Sequence, residues 1–197
     1  MHIGIVIYDD AEVLDFSGPF EVFSTAKRIN ALDWNVSLIA ASSDTVQARG
    51  GYNVLPHYSI HDCPDIDVLI VVGGFHLNVM NDSSLIRWIS SAAISAQITA
   101  SVCTGAFLLA EAKVLTHQTV TTHWEDISDL KQRYPELNVV ENQRVVKQGN
   151  LYTSGGISAG IDMSLTILAT LTTNETATKV ARQMEYAWHL EEQLSKR

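Results

Sequence analysis

Two kinds of apolar pattern alternate along the chain. Continuous runs rich in Ile and Val occur at HIGIVIY (His2 to Tyr8), WNVSLIAAS (Trp34 to Ser42), DVLIVVGG (Asp67 to Gly74) and ITASV (Ile98 to Val102). An unbroken apolar run of this length suits a strand covered on both faces, as in a parallel sheet. Elsewhere the apolar residues recur at helical spacing. SSLIRWISSAAISA predicts a helix with Ser83 or Asp82 as N-cap, TGAFLLAEA predicts one directly after ITASV, and HWEDISDLKQRY predicts an amphipathic helix stopped by Pro135. Pro19, just after Ser17-Gly18, marks a helix start, with Phe20, Val22 and Phe23 on its apolar side. VQARGGYNVLPHYSI breaks at Gly50-Gly51 and predicts a hairpin or an irregular connection. NVVENQRVVKQGNLYTSGG predicts short strands around a turn at Gly149-Asn150. Two helices are expected at the end, Ile157 to Leu171 and Glu175 to Gln193, the second capped by Asn174.

Strands alternating with helices mean βαβ units. The expected fold class is α/β: a three-layer sandwich with a mostly parallel, doubly wound, flavodoxin-like sheet. One domain over residues 1–197 is expected, because no repeat, low-complexity segment or linker interrupts the pattern. At 197 residues and 46% hydrophobic, the chain is long and apolar enough to bury a full core. No apolar run approaches the roughly 18 residues that cross a bilayer. The first ten residues lack the basic region and cleavage site of a signal peptide, so they read as a strand and the expected location is the cytoplasm. Thirteen Lys and Arg against 22 Asp and Glu leave a net charge of -9 with no basic stripe, which argues against a nucleic-acid partner. Cys63 and Cys103 cannot form a disulfide framework and are expected as reduced thiols.

Ligands of open parallel sheets bind beyond the carboxyl ends of the strands. Three such ends carry suggestive residues: Asp15 after the first strand, Gly73-Gly74 after the third and Cys103 after the fourth. Ser101-Val102-Cys103-Thr104-Gly105 has the small-residue spacing of a nucleophile elbow. A helix starting at Thr104 would turn free N–H groups and the positive dipole end toward the sulfur, favouring thiolate. The pattern fits a small buried hydrophobe as well as a nucleophile. Asp15 likewise reads as a helix cap or as a site carboxyl. As a partner of a thiolate it is useful only with a raised pKa, because an ionised carboxylate would oppose ionisation of the thiol. Asp162 reads as a structural carboxylate in a first helical turn, and Gly155-Gly156 as a close-approach loop. His57, His61 and Cys63 lie between Pro56 and Pro64 with no second ligand cluster at metal spacing, so no metal is expected.

The segments VVGGF, SVCTGAFLLAEA, VTTHW and TSGGISAGIDMSL, preceded by LDFSGPFEVF, resemble the ThiJ/PfpI superfamily with its glutamine-amidotransferase-like fold. Within it they look most like the isonitrile hydratase branch. Peptidase members of the superfamily have histidine directly after the cysteine, where this chain has Thr104. The resemblance implies Cys103 as nucleophile and Asp15 as its acidic partner. It implies an anion pocket from the N–H groups of Gly74 and Thr104, and a Thr104 hydroxyl that orients water. His123 falls where many members keep a histidine near the cysteine. It also implies a small-molecule substrate, a homodimer and no cofactor. Phe16, Phe75, Leu77 and Trp124 are candidate apolar walls for an organic substituent, with core packing the alternative for each. The activity expected is hydration of an isonitrile to an N-substituted formamide. Attack by Cys103 on another small electrophile and a ligand- or oxidant-sensing role are the alternatives.

Overall fold

In the computed structural model, residues 1–188 are described. The strands are β1 (His2–Val6), β2 (Asn35–Ala40), β3 (Val46–Ala48), β4 (Tyr52–Val54), β5 (Tyr58–Ser59), β6 (Val68–Val71), β7 (Ile98–Val102), β8 (Thr119–Val120), β9 (Asn138–Val139), β10 (Val145–Gln148) and β11 (Leu151–Ser154). The helices are α1 (Val13–Asn30), α2 (His76–Val79), α3 (Ser83–Ser95), α4 (Gly105–Glu111), α5 (Ile127–Arg133), α6 (Ala159–Leu171) and α7 (Asn174–Gln183). Seven strands form the main sheet in the order β10-β11-β7-β6-β1-β2-β5, and only the β10–β11 pair is antiparallel. All five residues of β1 and of β7 are buried, as their unbroken apolar runs require. Helices α1, α6 and α7 pack together, while α3 and α4 pack on each other. The expected three-layer, mostly parallel α/β sandwich is therefore the architecture of this chain.

From β1 the chain passes outward to β2 on one side, then returns to β6 and proceeds through β7 to β11 on the other. The reversal falls between β1 and β6, the place where open sheets leave a crevice. The Gly50-Gly51 region is a hairpin: β3 and β4 pair antiparallel, and β5 then joins the sheet edge.

Several element boundaries differ from expectation. Helix α1 begins at Val13, so Pro19 lies inside it and Asp15 occupies its first turn. Proline there removes the usual N–H donor to the Asp15 carbonyl. The helix forms because Asp15, Phe16, Gly18 and Pro19 are all buried, and tertiary packing outweighs the local cost. Helix α6 starts at Ala159 rather than Ile157, which adopts φ 58° and stays outside the helix. Of the two caps expected for α3, Asp82 is the one used, accepting from the N–H groups of Ser84 and Leu85. Thr173, not Asn174, caps α7 through the N–H of Thr176. Helix α7 ends at Gln183, short of the expected Gln193, and residues 189–193 lie outside the described residues. Among the described residues no helix is long and apolar enough to cross a membrane.

Candidate active site

Strand β7 ends at Val102, and the chain must turn sharply to enter α4. Cys103 makes that turn at φ 56°, a left-handed conformation rarely adopted by a residue with a side chain. Its N–H is shared between the carbonyls of Ser154 and Gly155, both at 3.2 Å. Its carbonyl accepts the Thr122 hydroxyl at 2.8 Å. The cysteine is thus held from both sides by neighbouring segments. Cys103 is buried and belongs to the core cluster, yet it also lines an open cleft of ≈ 870 Å³. Packing in the core and access to the cleft are thus not exclusive at this residue.

Asp15 is fully buried beside it. One carboxyl oxygen accepts the Gly73 N–H and the other the Ile157 N–H, each at 3.0 Å. The Cys103 thiol is a third hydrogen-bond partner. Burial raises the pKa of Asp15 from 3.8 to about 7; the two backbone donors oppose that shift and Glu12 adds to it. Asp15 is therefore no N-cap, since its side chain reaches out of α1 to the ends of β6 and α6. The positive φ of Ile157 turns its N–H onto this carboxyl, which explains why the helical pattern overran the true start of α6.

The expectation of a dipole-favoured thiolate does not hold for the resting cysteine. Burial pushes the Cys103 thiol well above its ordinary range, and the Asp15 carboxylate adds to the rise. The Thr104 N–H, which hydrogen-bonds the sulfur, opposes these effects without overcoming them. Helix α4 is only seven residues long, so its dipole is weak.

The Gly74 N–H is not free to form an anion pocket. It donates to the Thr104 hydroxyl at 3.0 Å, and that hydroxyl donates back to the Gly74 carbonyl at 3.0 Å. The proton of the Thr104 hydroxyl is thus committed, and what it offers a water is a lone pair. Gly74 sits at φ 144°, and a Cβ there would meet the Asp10 carbonyl and Ala11 Cα. Only glycine fits this close approach of the β6 end to the loop after β1.

Of the expected apolar walls, Phe75 and Leu77 line the cleft. Phe16 is buried in the core and packs near Tyr52, while Trp124 is 76% exposed and faces a neighbouring groove. His123 lines the cleft with Cys103, and its Nδ1 lies 3.3 Å from Asp126 Oδ2. Glu12, Arg49, His76, Phe107, Asp126 and Arg133 also border the cleft and carried no sequence signal. Tyr8 is a further unforeseen neighbour. Its hydroxyl donates to the Val72 carbonyl at 3.1 Å, and its pKa is raised by burial and by the adjacent Asp15 and Cys103. Asp162 pairs with Arg144 and Tyr186 away from Cys103, in the structural part expected of it. His57 accepts the Leu38 N–H, and no His/Cys/Asp/Glu group among the described residues has the arrangement of a metal site.

The sequence profile of the DJ-1/PfpI family matches residues 1–170. This chain belongs to the DJ-1/PfpI family. An isonitrile hydratase from Pseudomonas putida is 36% identical over 190 residues, covering 95% of this chain and 79% of that protein. The HTH-type transcriptional regulator CdhR of Pseudomonas aeruginosa is 28% identical over 87% of this chain, which spans about half (51%) of the regulator. Among solved structures, a ThiJ/PfpI family protein from Pseudomonas syringae superposes with a TM-score of 0.85 at 25% identity, covering 96% of this chain and 76% of that one. Drosophila melanogaster DJ-1beta gives 0.80 at 23% identity, covering 95% and 98%. The relatives of this chain thus include proteins named as an enzyme and as a regulator.

Proposed function

We propose that the cleft hydrates isonitriles, R–N≡C, to N-substituted formamides, with Cys103 as the nucleophile and Asp15 as its proton partner. The observation that carries the reading is the buried carboxyl of Asp15 in hydrogen-bond contact with a cysteine held at φ 56° on the cleft wall. The isonitrile hydratase relative supports the choice of electrophile.

Asp15 and Cys103 share one proton once the pair has lost its first. Passing that proton from Sγ to the carboxyl generates a thiolate beside a neutral acid, with the Thr104 N–H aimed at the sulfur. The thiolate attacks the terminal isonitrile carbon, and Asp15 protonates that same carbon, giving a Cys103 thioimidate, S–CH=N–R. Water then adds: its oxygen bonds to carbon and one of its protons reaches nitrogen. As the C–S bond breaks, the remaining hydroxyl proton goes to Asp15, releasing R–NH–CHO and restoring the pair. Phe75, Leu77, Phe107 and Ile157 supply the apolar surface that accepts R. No cofactor enters the balance. A homodimer in the cytoplasm completes the proposal, in keeping with two unpaired cysteines.

The regulator relatives support a second reading, a sensing module that binds a small molecule or oxidant at the same cysteine. Incubating the purified protein with simple alkyl isonitriles and following formamide separates the two. Turnover by the wild type that vanishes in Cys103→Ala is the expected result. Turnover that persists in Cys103→Ala overturns the mechanism. Absence of turnover with every isonitrile, alongside rapid oxidation of Cys103, favours sensing.

A further inference from the structure

One buried titratable side chain beside Cys103 and Asp15 has no part in the hydration scheme. Tyr8 lies just beyond the end of β1, 6% exposed, in the loop that leads into α1. That loop grips the end of β6. The Tyr8 carbonyl accepts the Ala11 N–H at 3.0 Å, the Glu12 N–H donates to the Gly73 carbonyl at 2.9 Å, and the Phe75 N–H donates to the Asp10 carbonyl at 3.1 Å. Ala11 and Gly74 form an antiparallel bridge. The Tyr8 side chain adds a bond of its own, its hydroxyl donating to the Val72 carbonyl at 3.1 Å.

The β6 end held in this way lies close against the cysteine turn. A Cβ on Gly73 would come within 2.8 Å of the Thr104 hydroxyl oxygen, and one on Gly105 would strike the Val71 carbonyl. The phenol thereby reaches the site: the Thr104 side chain is one of its hydrogen-bond partners, and Asp15 and Cys103 are its charged neighbours. A phenol has one proton to give and lone pairs to receive others. With its proton on the Val72 carbonyl, the Tyr8 oxygen meets Thr104 as an acceptor. The Thr104 hydroxyl already takes the Gly74 N–H and gives its proton to the Gly74 carbonyl, each at 3.0 Å. Both acceptors for that proton thus belong to the protein. Thr104 lines the cleft, whereas Tyr8 lies outside the lining residues.

We infer that Tyr8 is a positioning residue that fixes the Thr104 hydroxyl, so that Thr104 turns a lone pair toward the water that adds to the thioimidate. One O–H of that water points at Thr104 Oγ1, and the water oxygen is then free to face the electrophilic carbon. Burial and the neighbouring charges keep the phenol protonated well past neutral pH, so it remains a donor to Val72 and does not compete for the thiol proton. Asp15 serves the making and breaking of the C–S bond, and Tyr8, through Thr104, serves the addition of water between them.

This inference rests on the hydratase reading above, and the test separates their failures. With an alkyl isonitrile in single turnover, two rates are followed: appearance of the thioimidate on Cys103 by intact-protein mass, and release of formamide. Tyr8→Phe removes the hydroxyl and keeps the ring. Its adduct formation is expected to stay within about twofold of wild type, while release slows about tenfold and the adduct accumulates. In a Thr104→Val background the same change is expected to have no further effect, because the two side chains act as a unit. Unchanged release, equal slowing of both rates, or effects that multiply in the double variant overturn the assignment while leaving the hydratase reading intact. A second measurement needs no turnover. In protein labelled with ¹³C at tyrosine Cζ, one of the six tyrosine signals is expected to move in Thr104→Val and to be the signal missing from Tyr8→Phe. Absence of any moved signal overturns the contact between the two residues. A wild-type protein that forms neither adduct nor formamide overturns the hydratase reading, and the part given to Tyr8 with it.

Discussion

Asp15 accepts two backbone N–H groups and the Cys103 thiol in a place removed from water, and these opposing influences leave its pKa at about 7. The resting thiol is held far higher, so the first proton lost by the pair comes off near pH 7. Attack needs the one-proton state, and kcat/KM is therefore expected to be low at pH 5 and to rise through about pH 7. A profile flat from pH 5 to 9 contradicts this. Asp15→Asn leaves a residue that cannot take the thiol proton, and turnover is expected to fall by about 10² to 10⁴ with the fold retained, measured as formamide release alongside circular dichroism. Cys103, Asp15 and Gly73-Gly74 were legible in the sequence because each lies in the segment that follows a strand of a recognisable parallel sheet. Arg49, Asp126 and Arg133 were not. Their side chains reach the cleft from loops and helices whose relative placement no local pattern encodes. The state of the thiol was misjudged for a related reason. A helix terminus is visible in sequence, whereas the burial that outweighs it depends on the whole fold.

Elements were legible where apolar period and length agreed, as in β1, β6, β7 and α3. They were misread where a contact distant in sequence set the boundary. Pro19 predicted a helix start, but α1 begins six residues earlier because its first turns bury Asp15 and Phe16 and place Gly18 against Ile161 of α6. Ile157 has the residue type of a helix interior, yet its N–H is drawn to Asp15, 142 residues away in sequence. Caps offer a direct check on such boundaries. Asp82 Oδ1 accepts the Ser84 and Leu85 N–H groups at 3.0 and 3.2 Å, so Asp82→Ala is expected to cost about 1 kcal/mol in denaturant unfolding. No change there would contradict the cap. Gly74→Ala forces a side chain into φ 144° and against the Asp10 carbonyl, which also displaces the Thr104 hydroxyl that the Gly74 backbone holds. Loss of at least about 1–3 kcal/mol together with lowered activity is expected. Retention of both would show that the loop after β1 yields more easily than its packing implies.

At the scale of the molecule, the reversal of strand order between β1 and β6 brings together residues from segments far apart in sequence. The cost of that assembly is a titratable group sealed in the fold. Folding raises the pKa of Asp15 from 3.8 to about 7, so between these values the folded state binds more protons than the unfolded chain. The stability this group contributes is full below about pH 4 and is lost as pH rises through about 7, a change on the order of 4 kcal/mol. Asp15→Asn has no such dependence, and its stability relative to wild type is expected to improve steadily from pH 4 to pH 8 in urea unfolding. A constant difference across that range contradicts the burial of an ionisable carboxyl. The central claim, a carbon–sulfur bond at Cys103 followed by water addition, is tested most directly by nuclear magnetic resonance with an alkyl isonitrile labelled with ¹³C at the terminal carbon. In D₂O the label is expected to appear first as a thioimidate on Cys103 and then as free formamide bearing deuterium on the formyl carbon. Formamide formed by wild type and Cys103→Ala alike, with no labelled carbon ever attached to the protein, would contradict it.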